Sequence, residues 1–446
     1  MRQMLRGIFL VFLILAPIST GWGAATVVES PNSTATTEIV SIGDVVGKVS
    51  GENYEVLQNA LKVYQAKESI AVARGNLLPR LNLWKILNLA YETVMGVSTY
   101  NYGSVANSAL SMIEDIAPFL VPANWFRLKE TEILFLAEKE AYRALWANEV
   151  MTAKSLYFQS LLDRSILEHV EMNISEFNEL YTVLASRELL GGLPPGTARD
   201  VEIRLLALRE DKRSLEVVIN EENILLAYML GIPTRTDIAL QPVTLPDFSN
   251  YEPLRYDEFE FRALDASPEI RQYAHFIDAA EYVKREVMYS FLGASSTMRG
   301  TQGGVFDGLP LQMGLGFGTG ASMRIVNAQK DILKIQKKAV SETVARQLKL
   351  LVNNYNLDLA NYPDLKRHSA LTQAALDTLQ ERLKLGENVD ILLIVEASRN
   401  HIQAETALFA AQFRFLVNED RLKRLLFQGD YSMVPAVVEI IRGIKK

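Results

Sequence analysis

Residues 123–190 constrain the fold more than any other stretch. They lie between Pro122 and Gly191 and hold 68 residues with neither glycine nor proline. Those two residues are the usual helix breakers, so a span without them reads as one continuous helix. Apolar or small side chains recur in it at every seventh place: Trp146, Ala153, Ser160, Leu167, Ile174 and Tyr181. Val150 and Tyr157 fall at the other seam position. A seven-residue repeat under-winds helices and coils them left-handed around neighbours. At roughly 1.5 Å per residue the helix is about 100 Å long, whereas globular helices average about 11 to 12 residues. A helix of that length spans distance. Taken alone, the pattern also fits an ordinary solvated coiled coil.

The rest of the chain repeats the theme. A helix is expected from Glu52 to Arg74, between Gly51 and Gly75, and Pro79 closes it. Residues 81–91 read as a strand, and residues 92–121 are ambiguous. The turn GGLPPG at 191–196 leads into a second glycine- and proline-free run, 197–230. Four prolines, at 233, 242, 246 and 253, mark residues 232–266 as an irregular linker with short elements. A helix resumes at Glu269 and runs to about Leu292. The clearest strand follows: Leu309, Leu311, Met313, Leu315 and Phe317 alternate with Pro310, Gln312, Gly314, Gly316 and Gly318. Period two puts the large side chains on one face, the arrangement of a half-buried strand or of a barrel strand facing lipid. FLGASSTMRG before it is a weaker partner strand. Helical sequence then runs from Ala321 to Leu385, with Pro363 expected to kink or break it. A second tip, GENVD, opens a last helix whose seam reads Leu393, Ala397, Ala404, Leu408, Ala411, Phe415, Leu422 and Leu425. Helix, strand pair, very long helix, tip and returning helix therefore occur twice. The tip glycines Gly196 and Gly386 are separated by about half the mature chain, and internal duplication is the economical account.

Composition narrows the function. A net charge of −7 with no basic run argues against nucleic acid as a partner. The chain has no cysteine, hence no disulfide framework and no thiolate site. Arg2 and Arg6, the apolar run 8–16, and then Pro17, Gly21, Gly23, Ala24 and Ala25 follow the order of a secretory signal peptide. Its apolar core is too short for a membrane-spanning helix. Export is expected, without a transmembrane helix in the mature protein.

This organisation resembles the TolC-type outer-membrane efflux channel family over nearly the whole mature chain. The residues that carry the resemblance are ESIAVARGNLLPRLNL (68–83), GTARDV (196–201) with LLAYMLG closing that helix, GLGFGTGASMRIVNAQKDILKIQ (314–336), and the run from LGENVDILLIVEASRN to DRLKRLL (385–426). The resemblance implies a mainly α fold with a small β part. Long antiparallel helical hairpins would form an α-barrel. Four strands per subunit would join a trimeric twelve-stranded β-barrel in outer-membrane lipid. The parts would be a signal peptide (1–25), a flexible lead-in (26–50), a first repeat (51–231), an equatorial linker (232–266), a second repeat (267–428) and a C-terminal equatorial segment (429–446). The implied function is a passive exit duct in a homotrimer, serving a tripartite efflux pump or a type I secretion system. Its partners would be a periplasmic adaptor and an inner-membrane pump, and it would lie in the outer membrane with a periplasmic helical domain. The alternative is a periplasmic coiled-coil adaptor or scaffold, which would need β-rich flanking domains and would stay soluble.

The chemistry-bearing residues fit a duct better than an enzyme. GFGTGA (316–321) matches a dinucleotide fingerprint, but that site needs a second parallel strand about 30 residues on, and a long helical run follows instead. His169, His275, His368 and His401 have no metal-ligand spacing, and His401 is expected on an exposed helix face. No catalytic, cofactor or metal residues are assigned. The functional candidates are Asp200 and Arg199 at the first tip and Asp390 and Glu396 at the second. The family usually carries two carboxylates three residues apart here; this chain has Leu393 at the first position and Glu396 at the second. On one subunit such an acid only complements a helix dipole. Around a threefold axis it becomes a ring, and acidic rings select cations and narrow pores. Arg199, Arg204 and Arg399 lie close enough in sequence to tie adjacent helices shut.

Overall fold

The computed structural model describes residues 37–79, 117–192, 194–289, 305–306, 318–385, 387, 389–437 and 440. Its elements are β1 (Thr37–Val40), α1 (Ile42–Glu52), α2 (Tyr54–Gly75), α3 (Pro122–Leu189), α4 (Thr197–Met229), β2 (Asp237–Leu240), α5 (Tyr256–Ala266), α6 (Pro268–Tyr289), α7 (Thr319–Lys384) and α8 (Ile391–Leu425), with short 3-10 turns between some of them. In order, β1, α1, α2, α3 and α4 have 4, 11, 22, 68 and 33 residues. The matching elements β2, α5, α6, α7 and α8 have 4, 11, 22, 66 and 35. The described part of the chain is mainly helical, and no described helix is long and apolar enough to cross a membrane. The expected strands at 81–91, 291–300 and 309–317 lie outside the described residues, as do the signal peptide and the start of the lead-in.

Two expectations are corrected at the N-terminal end. From Thr37 onward the lead-in is ordered structure. β1 pairs in parallel with β2, Val40 opposite Leu240. Ser41 then starts α1 through a capping box with Asp44, and Val45 and Val49 are fully buried. The expected helix from Glu52 starts instead at Tyr54, because Asn53 caps it: its Oδ1 accepts from the backbone N–H groups of Glu55 and Val56. Its Nδ2 donates to the Met229 carbonyl at 2.9 Å, which ties α2 to the end of α4. Gly231 beside it has φ +68°, and a Cβ there would stand 2.5 Å from the Glu52 carbonyl oxygen, so only glycine fits.

The core is drawn out along the bundle. An equatorial cluster joins β1, α1, α2, mid-α3, the end of α4, β2 and the end of α8 around Trp146, Tyr157 and Tyr431, all fully buried. Tyr157 Oη donates to the Gln241 carbonyl at 2.6 Å and lies 3.2 Å from that of Val40, closing the end of the two-stranded sheet. The heptad seam of α3 is buried from Trp146 through Ser160, but Leu167, Ile174 and Tyr181 are only half-buried. Toward the tip the buried apolar positions are Val170, Phe177 and Leu184. The contact face rotates because the neighbours change: α1, α2, α4 and α8 pack on α3 at the equator, and α4, α7 and α8 share the cluster toward the tip. The seam of α8 moves likewise. Leu393 is exposed, and Ile394, Ser398 and His401 are buried in its place.

Pro363 does not break α7, which runs unbroken through it. The proline removes one helical hydrogen bond. The flanking turns are held from outside by an aromatic cluster, with Phe248 centred 4.1 Å from Tyr362 and 4.2 Å from Phe415. Asp358, one turn before, is buried and binds Arg414 and Asn418 of α8.

Candidate functional site: the helical tips

Both tips are built from short-range polar contacts. At the first, α3 ends in Leu189 and Leu190, and Gly191 and Gly196 take positive φ to turn the chain. The Glu188 carboxylate bridges the turn, accepting from the N–H of Gly196 at 2.6 Å and of Ala198 at 2.9 Å. Those two donors, with Arg199 nearby, hold Glu188 below its ordinary value. It thereby satisfies N–H groups that the first turn of α4 leaves open. Arg199 is exposed, with its guanidinium packed over Gly196. Asp200 is half-buried in the first turn of α4.

At the second tip Arg382 Nε donates to Glu387 Oε2 at 2.7 Å across the turn. Asp390 is the N-cap of α8, its Oδ1 accepting from Leu392 N–H at 3.0 Å. Glu396 stands exposed on the second turn. Beneath these residues the two tips share one apolar cluster. Phe177 and Leu184 of α3, Val201 and Leu205 of α4, Leu383 of α7, and Ile391 and Ile394 of α8 meet in it. The structure therefore brings both predicted gate segments onto a single packed end. It also leaves Leu189, Leu190 and Leu385 more than four-fifths exposed there. The sequence signal for them was a leucine directly before the glycine at each tip, LLGG and LKLG.

No protein-family model matches the sequence, and no curated protein matches it. Solved structures do. A membrane protein from Pseudomonas aeruginosa superposes with a TM-score of 0.67 at 14% identity, over 94% of this chain and 99% of that one. The CmeC outer membrane channel of Campylobacter jejuni gives 0.67 at 11% identity, over 90% and 88% of the two chains. The open MtrE outer membrane channel of Neisseria gonorrhoeae gives 0.64 at 13%, over 89% and 91%. The chain has the fold of the TolC-type outer-membrane channels.

Within that channel fold the other singled-out residues take bland places. His401 is buried rather than solvated, its Nδ1 3.4 Å from Thr372 Oγ1, because α7 covers that face of α8. His169 packs against Phe409, ring centres 5.1 Å apart. Gly318 of the GFGTGA motif feeds straight into the 66-residue α7, which leaves no room for a nearby parallel strand. Arg204 is half-buried on α4, with the Asp211 carboxylate and the Arg399 guanidinium both bearing on it. Burial lowers Arg204, Asp211 opposes that and Arg399 adds to it, and its Nε is sealed without a hydrogen-bond partner.

Proposed function

We propose that the chain is one subunit of a passive trimeric exit duct in the outer membrane, gated at its periplasmic tip, that serves a tripartite efflux pump or type I secretion system. The observation that carries this is the matched pair of hairpins, 68 and 33 residues against 66 and 35, each ending at one packed tip. Repeated element lengths on this scale support an internal duplication, and two such hairpins per subunit supply the staves of a closed tube.

Two uncovered apolar stripes support self-association. On α4, Ile203, Leu206, Val217, Ile224 and Tyr228 are exposed at helical spacing. On α7, Ile325 and Ile332, and then Leu350, Leu357 and Leu371, are exposed at multiples of seven. Apolar surface of this extent in a soluble helical region marks an interface, and heptad spacing suits a neighbouring helix. The strand Leu309, Leu311, Met313, Leu315 and Phe317, read from sequence, would supply part of the lipid-facing barrel. The exposed tip leucines suit docking of a periplasmic adaptor that links the duct to an inner-membrane pump. Asp200, Arg199, Asp390 and Glu396 would form the polar ring and latch of the closed end.

The test is direct. Purified full-length protein should fractionate with outer membranes, sediment as a trimer in detergent, and conduct ions in planar bilayers. Recovery as a soluble, non-conducting species would favour the adaptor or scaffold reading instead.

A further inference from the structure

Between the equatorial core and the tip core, α3 and α4 meet across two carboxyl groups. Asp163 of α3 is 7% exposed, and its Oδ2 accepts from Gln159 Nε2 at 3.1 Å. Glu222 of α4 faces it, and Glu222 Oε2 is sealed from solvent with no hydrogen-bond partner. The charged groups that bear on Glu222 are Asp163 and Arg164, both on α3. Arg164 is already engaged: its Nη2 donates to Asn223 Oδ1 at 3.1 Å, an oxygen that also accepts from Ser160 Oγ at 3.2 Å. Two carboxylates in a partly buried contact repel if both are ionised. One proton between them turns an acceptor into a donor and gives the orphaned oxygen a bond.

We propose that Asp163 and Glu222 share one proton and act as a clasp between α3 and α4 that is closed when protonated and loosens when the proton leaves. Burial, reinforced by the Asp163 charge, pushes Glu222 up to about 8. Its folded value thus lies above its unfolded one, and the folded chain keeps a proton that the unfolded chain has released. The stability this gives is complete below the ordinary glutamate range and is lost as pH climbs to about 8.

The position of the pair matters. Leu161 belongs to the equatorial cluster and Val170 to the tip cluster, so the clasp fills the gap where the seam changes face. Apolar packing on either side stays intact when it opens, and the hairpin gains a joint between its two halves. The clasp rests on this geometry and on the raised Glu222 carboxyl, not on the duct reading. That it also biases the aperture of the tip rests on the duct reading above.

Amide hydrogen exchange on the purified full chain tests it, compared at about pH 6 and about pH 9.5 after correction for intrinsic rates. Protection across 159–166 and 216–226 should fall about tenfold or more in the wild type, as the loss of one proton well below the final pH implies. Glu222→Gln keeps a donor without a charge and should stay protected at both values, as should Asp163→Asn. Infrared titration should show a protonated carboxyl band that persists to neutral pH and is missing in Glu222→Gln. A Glu222 carboxyl that ionises in the ordinary range, or equal alkaline exchange in wild type and Glu222→Gln, overturns the clasp. If exchange behaves as expected while bilayer conductance is the same in wild type and Glu222→Gln across the pH range, the clasp stands and its link to the tip is overturned.

Discussion

Lys154 lies on α3 in the equatorial core with only 5% of its surface exposed. Its Nζ is 3.1 Å from Asp420 Oδ1 and 2.6 Å from Asp430 Oδ2, and 5.2 Å from the centre of the Tyr431 ring. Tyr431 in turn donates its hydroxyl to Asp420 Oδ2. These contacts pin the chain after α8 to the middle of α3. Burial pushes the Asp420 carboxyl up, and the Lys154 charge is the first force opposing it. Lys154→Met removes that charge without opening a cavity. Asp430 is more than half exposed and falls back on water at little cost. Asp420 is left as a buried charge, a change that costs about 3 to 5 kcal/mol. Adding Asp420→Asn should recover most of the loss, because the orphan charge is gone and Asn still accepts from Tyr431. The penalty should also shrink on acidification. Without the lysine the carboxyl of Asp420 rises further, so the orphan takes up a proton more readily on acidification and then ceases to be charged. Denaturant unfolding followed by far-ultraviolet circular dichroism, at about pH 5 and about pH 8, measures all three proteins. Wild-type stability in Lys154→Met at both values, or a double variant no better than the single, would refute the reasoning.

Three further outcomes are expected. Val217→Arg or Leu357→Arg should leave a helical chain that sediments as a monomer, since each puts a charge in an exposed apolar stripe that the proposed trimer would bury. In the sequence-predicted barrel strand, Met313→Arg should cost about 2 to 4 kcal/mol of membrane assembly whereas Gln312→Arg is tolerated; equal tolerance would count against a lipid-facing strand. Asp390→Ala with Glu396→Ala should weaken cation block of single-channel current without changing trimer yield, and Asp200→Ala or Arg199→Ala should raise resting conductance; unchanged currents in both sets would reduce these residues to helix-end charges.

The helices were legible because their signals are local. The run without glycine or proline ending at Leu190 marked α3 to within one residue at each end, and Gly196 and Gly231 marked α4 as closely. Where the neighbour decides, the sequence was a poorer guide. The heptad register that buries Trp146, Ala153 and Ser160 cannot say that α3 later turns Val170 and Phe177 inward, because that depends on which helix lies alongside. Pro363 breaks an isolated helix, and only the aromatic packing around Tyr362 explains why it does not break this one. Asp390 was found as a tip acid, but its bond to the Leu392 N–H, a cap, is a geometric fact. Glu188 was missed altogether. It precedes the turn by several residues, and its two backbone partners are adjacent to it only once the chain has reversed.

The way each tip is tied bears on how such an end moves. Glu188 binds the first turn to α3, and Arg382 with Glu387 binds the second turn to α7. Asp390 caps its own helix. These bonds stay within a hairpin, so a hairpin can shift as a unit without breaking them. Among the described residues, the hairpins meet at the tip through apolar contacts, a buried bond from Ser398 Oγ to Asn173 Oδ1 at 2.9 Å, and an exposed 3.4 Å contact from Gln380 to Glu176. Apolar contacts have no preferred direction. A single neutral hydrogen bond contributes only about 1 kcal/mol. The directional bonds at the turns therefore act within each hairpin, and mainly apolar contacts join hairpin to hairpin. In the proposed duct, sliding hairpins past one another would break fewer directional bonds than unwinding either turn.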